Sequence, residues 1–230
     1  MIDEQKQLVT RFTDAVKKLK LLKEDSVSRN ARLLDIRYRL TLDLRISIET
    51  EYSSTKTKDV RDVYKLLFKF LDLWNVYEVC CAYGKELGVC TKDKVSGWKD
   101  SFLKEAGILS FLERQAETFR QNMVSASSSE KYRQYLAHFS VLDAVKDHNK
   151  KKYQKYLEAS AEEFDYMQLL FIQYMERNSY YHGGEAAQAG SYYSYRKKQL
   201  LFFIDFLTEF IAVLGSALFE KESNNFKGVS

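Results

Sequence analysis

Arg177 and His182 are the residues of this chain whose types and spacing suit a reaction, and that reaction is phosphodiester cleavage. Cutting RNA without a metal needs a base to take the 2′-hydroxyl proton, an acid to protonate the leaving oxygen, and a cation to hold the charged phosphorane. Histidine titrates near neutral pH and suits the first two roles. Arginine stays charged and grips phosphate oxygens through a planar fork. One Arg177 and one His182 are half of that set, and two copies related by a twofold axis complete it, so the chemistry asks for a dimer. On an unbroken helix, residues five apart point about 140° away from each other. Gly183 and Gly184 follow directly, and a left-handed glycine cap there is expected to end the helix and swing His182 back towards the arginine. The plainer reading is that the pair caps helix carbonyls or pairs with Glu176 and Glu185.

Helices must position these residues. The 230-residue chain has no proline and only nine glycines, which favours long helices joined by short loops. The predicted fold is all-α, an up-and-down helical bundle with an N-terminal helical extension. Leu8, Phe12, Val16 and Leu19 follow helical spacing within 3–24. From 36 to 48 every even position is apolar and every odd one polar, the period of a half-buried strand. The same residues also satisfy helical i, i+4 spacing (Ile36, Leu40, Leu44, Ile48), and with no partner strand of similar quality a helix buried on two sides is favoured over the strand. The polar stretch "YSSTKTKD" marks a boundary: 1–52 reads as the extension, 59–219 as the bundle and 220–230 as a frayed tail. Helices are expected over 59–87, ending near Gly84 and Gly88, and over 98–106, 109–123, 130–157, 161–180 and 192–219. "SASSSE" reads as a loop.

Composition excludes several classes. Charged residues are 30% and apolar ones 45%, the balance of a globular domain rather than a disordered one. A net charge of +4 permits RNA binding without demanding it. Cys80, Cys81 and Cys90 lack metal-ligand spacing and read as reduced, packed thiols, with a cytoplasmic protein the expectation. The opening "MIDEQKQLV" does not resemble a signal peptide. The apolar run 200–219 carries Asp205, Thr208, Glu209 and Ser216, a polar stripe that favours a core helix over a membrane span, and no membrane is expected among the partners. No Walker loop, zinc spacing, GxSxG or paired-carboxylate motif is present, and no cofactor or metal is expected.

Arg177-Asn178, three further residues, then His182-Gly183 at the end of the penultimate helix resemble the Arg-x4-6-His signature of HEPN proteins. "DLWNVYEVC" is similar to the early helix of that bundle, in which a polar or acidic residue, here Glu78 or Asn75, faces the motif. The resemblance covers about 59–219. It implies a four- or five-helix bundle, a homodimer joining two motifs in one cleft, and metal-independent cleavage of single-stranded RNA in toxin, defence or RNA-processing roles. Arg177 and His182 are then catalytic, Asn178 fixes their geometry, and an antitoxin or regulatory partner belongs among the expected associates. A subset of the family carries a modifiable tyrosine two residues beyond the histidine, where this chain has Gly184.

Other features have two readings. Arg133 and His138 share the spacing but sit in an expected continuous helix, which makes them a decoy. Lys150, Lys151 and Lys152 suit an RNA backbone or simply a solvated face. Tyr181, Tyr192 and Tyr193 suit base stacking or the aromatic core of an interface. The rival to the nuclease is a non-catalytic helical interaction or scaffold module in which Arg177 and His182 are structural.

Overall fold

The computed structural model describes residues 2–23, 27–48, 55–91, 94–124, 164–183 and 193–227. Among them run seven α-helices and no strand: α1 (Ile2–Lys23), α2 (Arg29–Asp43), α3 (Thr55–Glu86), α4 (Asp100–Glu105), α5 (Ile108–Phe119), α6 (Tyr166–Gly183) and α7 (Tyr193–Lys227), with a π-turn over Arg120–Val124 after α5. The all-α expectation holds. The chain divides into two compact units, one built from Met1–Arg45, Lys69–Phe111 and Ile204–Ser230, the other from Ile46–Phe68 and Leu112–Phe203. The long helices α3 and α7 contribute a part to each.

In the first unit, α1 packs through Phe12, Val16 and Leu19, all within 3% of full burial. The Phe12 ring lies against the α7 backbone at Gly215, where a Cβ would come within 2.5 Å of the ring, and it meets Tyr38 at 4.7 Å and Phe219 at 5.3 Å between centroids. Tyr38, fully buried in α2, donates its hydroxyl to the Thr208 carbonyl at 2.6 Å. Tyr83 donates to the buried Glu222 carboxylate. Burial disfavours ionising either phenol, and the neighbouring Glu222 adds to this for Tyr83, so both titrate well above the ordinary tyrosine range. The first 45 residues, expected as an extension, therefore carry core of this unit.

The alternating stretch resolves into helix up to Asp43, followed by non-helical backbone from Leu44 to 48. Ser28 opens α2 by accepting from the Ala31 N–H at 3.1 Å. Lys69 closes it, donating to the carbonyls of Thr41 and Leu44, cations being favoured at helix C-termini. Residues two apart on a helix are turned by about 200°, so the even-numbered residues fall alternately inward and outward. Leu34 and Tyr38 are buried, whereas Ile36 and Leu40 are 56% and 66% exposed. The helix buried on two sides is thus corrected to one buried on a single face.

α3 ends as its glycines suggest. Gly88 adopts φ +69°, Val89 N–H reaches the Gly84 carbonyl at 2.8 Å and Gly88 N–H the Lys85 carbonyl at 3.0 Å, the paired bonds of a Schellman cap. The expected tail continues α7 to Lys227, with Glu222 and Ser223 buried. α7 is long and apolar enough, by length and composition, to cross a membrane, and 72% of its most apolar stretch is buried inside the protein. Leu207, Phe210, Ile211 and Leu214 are fully buried there. The thiols of Cys80, Cys81 and Cys90 are buried, as packing residues would be.

In the second unit, Phe119 gathers Phe164, Phe202 and Phe203 at 5.5, 5.0 and 5.8 Å. α6 passes through it with Leu169, Leu170, Phe171 and Ile172 all within 3% of full burial. The expected loop 125–130, the polar helix 130–157 and the start of the boundary at 52 lie outside the described residues.

Two outcomes follow. Gly215→Ala forces the Phe12 ring off α7 and lowers stability by roughly 1–3 kcal/mol in chemical denaturation, while an alanine at exposed Lys18 changes little. Asp35 is buried, and burial opposes its charge. Hydrogen bonds from Lys20 (2.8 Å) and Arg39 (2.6 Å) outweigh that and hold the carboxyl below its ordinary value. A carboxylate with a depressed folded-state pKa stabilises above its unfolded value, about 3.9, and loses that contribution as pH falls through the folded one. Wild type therefore loses up to about 1 kcal/mol relative to Asp35→Asn on acidification below pH ~4, a modest figure because both cations are about half exposed.

Candidate functional site

α6 carries the candidate pair. Its first turn is held by a reciprocal cap: the Asp165 carboxylate accepts from the Gln168 N–H at 2.9 Å, and the Gln168 side-chain oxygen accepts from the Asp165 N–H at 2.6 Å. From there the helix is buried on nearly all sides to Glu176, and partly buried Arg177 and Asn178 follow, with the Arg177 Nε atom removed from solvent. Arg177 donates from Nη1 to Asn178 Oδ1 at 2.9 Å.

The expected chain reversal is absent. α6 continues through His182 to Gly183, which turns the two backbone positions about 140° apart and separates them by roughly 7.5 Å along the axis. Two glycines permit a helix to end without compelling it to do so earlier. The side chains of Tyr181, His182 and Tyr193 lie outside the described residues, as do Tyr192, Lys150, Lys151, Lys152 and the decoy pair Arg133 and His138.

Glu78 and Asn75 belong to the portion of α3 in the first unit. The Glu78 carboxylate accepts from Trp74 Nε1 at 3.0 Å and pairs with Lys94 at 2.5 Å. Asn75 is half-buried.

The polar cluster that α6 does build was not anticipated. Glu176, expected as a partner of Arg177, is buried and receives Arg196 of α7 through Nη2 at 2.9 Å and Nε at 3.1 Å, with Gln199 donating to its other oxygen at 3.3 Å. Both members of the ion pair have side chains under 7% exposed. One turn earlier, fully buried Gln173 donates to the Leu169 carbonyl at 3.3 Å while its side-chain oxygen has no partner. One turn after Glu176, Tyr180 meets Phe68 edge-on at 5.9 Å, and Phe68 stacks with Tyr64 at 6.0 Å. The sequence signal for the cluster was a glutamate inside an apolar helix and a basic-polar pair, Arg196 and Gln199, opening another; the pairing itself is long-range.

A second surface also escaped the motif-based reading. Of the eight large apolar side chains exposed among the described residues, five lie between 21 and 44: Leu21, Leu22, Ile36, Leu40 and Leu44. Residues 17–45 hold nine basic and four acidic side chains, a balance of +5 against +4 for the whole chain. Among the described residues no group of three or more His, Cys, Asp or Glu side chains is placed to hold a metal ion. In comparisons with known proteins, no family model, no curated protein and no solved structure matches this chain.

Removing one partner of a buried ion pair leaves the other charge uncompensated. Arg196→Met is expected to cost roughly 3–5 kcal/mol in urea denaturation, and adding Glu176→Leu to it recovers most of that loss. A double-variant loss equal to the sum of the losses of Arg196→Met and Glu176→Leu made singly would show that the two side chains are not coupled.

Proposed function

We propose that this chain is a non-catalytic helical interaction module that engages an anionic partner through the outer faces of α1 and α2. The observation that carries this reading is the line Ile36, Leu40 and Leu44, spaced a turn apart and exposed, with exposed Arg29, Arg37 and Arg45 around it. A solvated helix face normally carries polar residues, and contiguous apolar side chains rimmed by charge are the composition of a contact surface. Under this reading the bonded Arg177 and Asn178 are structural residues of the last turns of α6, and the buried Glu176–Arg196 pair fixes how α6 and α7 register in the second unit.

The homodimeric HEPN-type ribonuclease is the second reading, favoured by the Arg177–Asn178 bond alone. With α6 unbroken, it requires Arg177 of one copy to meet His182 of another, because the two backbone positions of a single chain point apart. The readings separate in one assay: the purified chain with single-stranded RNA and EDTA. The interaction module leaves RNA intact in wild type, Arg177→Ala and His182→Ala alike. Metal-independent cleavage that either substitution reduces by a hundredfold or more, the ordinary scale for a lost acid, base or phosphate-binding group, would replace it with the nuclease.

A further inference from the structure

We propose that the basic, leucine-bearing surface of α1 and α2 docks on an anionic lipid bilayer, with the leucines entering the headgroup boundary; this rests on the interaction reading above. The two helices run antiparallel. Lys20 near the end of α1 bonds Asp35 in the middle of α2, and Phe12, earlier in α1, meets Tyr38, later in α2. Their inner faces are spent on the core of the first unit, so the leucines in question are surplus to folding: Leu21 is 87% exposed and Leu40 66%.

Charge decides what covers them. A second copy would set the same exposed cations, Arg29, Arg37 and Arg45 among them, against each other across the contact, which disfavours self-association through this face. An anionic partner is attracted by the same charges. RNA would use the arginines and gain nothing from five exposed aliphatic side chains. A bilayer with anionic headgroups uses both: leucines partition into the acyl boundary while lysine and arginine stems lie along it with their charges at the headgroups. It also demands no groove, which matters because the apolar residues come from two helices, while the open cavity of about 530 Å³ on α1 is lined by Lys6, Thr10, Arg11 and Glu220 rather than by them.

The test is sedimentation of the full chain with phosphatidylcholine vesicles, with and without phosphatidylserine. Binding is expected only with phosphatidylserine and weakens as salt rises. Leu40→Gln together with Ile36→Gln lowers the partition coefficient roughly tenfold or more, and Arg37→Gln roughly fivefold. All three positions are exposed, and unchanged circular dichroism confirms that the variants fold. Binding that responds to Arg37→Gln but not to the paired leucine and isoleucine substitutions would overturn the proposal in favour of a general polyanion site. No binding to phosphatidylserine vesicles would overturn it too. Capture of an acidic amphipathic peptide in that case leaves the interaction module standing, whereas RNA cleavage through Arg177 or His182 removes the module itself.

Discussion

The contact on which the first unit depends is the seat of the Phe12 ring on the bare backbone of α7 at Gly215. Any side chain there would push the ring away. With the ring in place, α1 lies close enough for Phe219 and Tyr38 to complete an aromatic group around it, and Tyr38 in turn ties α2 to the Thr208 carbonyl. α2 is thus oriented from within, by Leu34 and Tyr38. Its outer face is what remains, and that face carries Ile36 and Leu40. The exposed stripe is a consequence of which face the core selected.

The second unit depends on a different kind of interaction. Glu176 and Arg196 are both removed from water, and such a pair gains specificity more surely than stability, since each charge tolerates burial only in the presence of the other. Gln199 satisfies the second carboxylate oxygen, as a buried charge requires. The pair constrains α6 relative to α7 at the level where α6 emerges, and Arg177, the next residue, inherits its direction from it. Glu176 and Arg177 are adjacent charges with different settings, the first wholly buried and the second partly so.

Much of the fold was legible in the sequence. The absence of proline and the 3.6-residue patterning specified helices, and Gly88 marked the end of α3 because a left-handed cap favours a residue without a Cβ. The alternation from 36 to 48 imitates the period of a strand because apolar residues on one helix, 200° apart every second position, fall alternately inward and outward, and it was the burial on two sides, not the helix through Asp43, that the structure corrected. The first 45 residues read as peripheral because nothing local says that Phe12 meets Gly215, a contact more than two hundred residues apart. The candidate site fared less well. The Arg177–Asn178 bond joins neighbours in sequence; the continuation of α6 past His182 was not foreseen, since glycines allow a helix to stop without placing the stop.

By itself the sequence determined that this protein is helical, where α3 ends, and that basic and aliphatic residues crowd its first fifth, because these follow from backbone propensity and composition. Only the tertiary structure decided which aliphatic residues are core and which are left at the surface, that Glu176 answers Arg196 rather than its neighbour, and that Arg177 and His182 lie on one unbroken helix. Those outcomes turn on long-range packing, where the burial of one face settles what the opposite face must present.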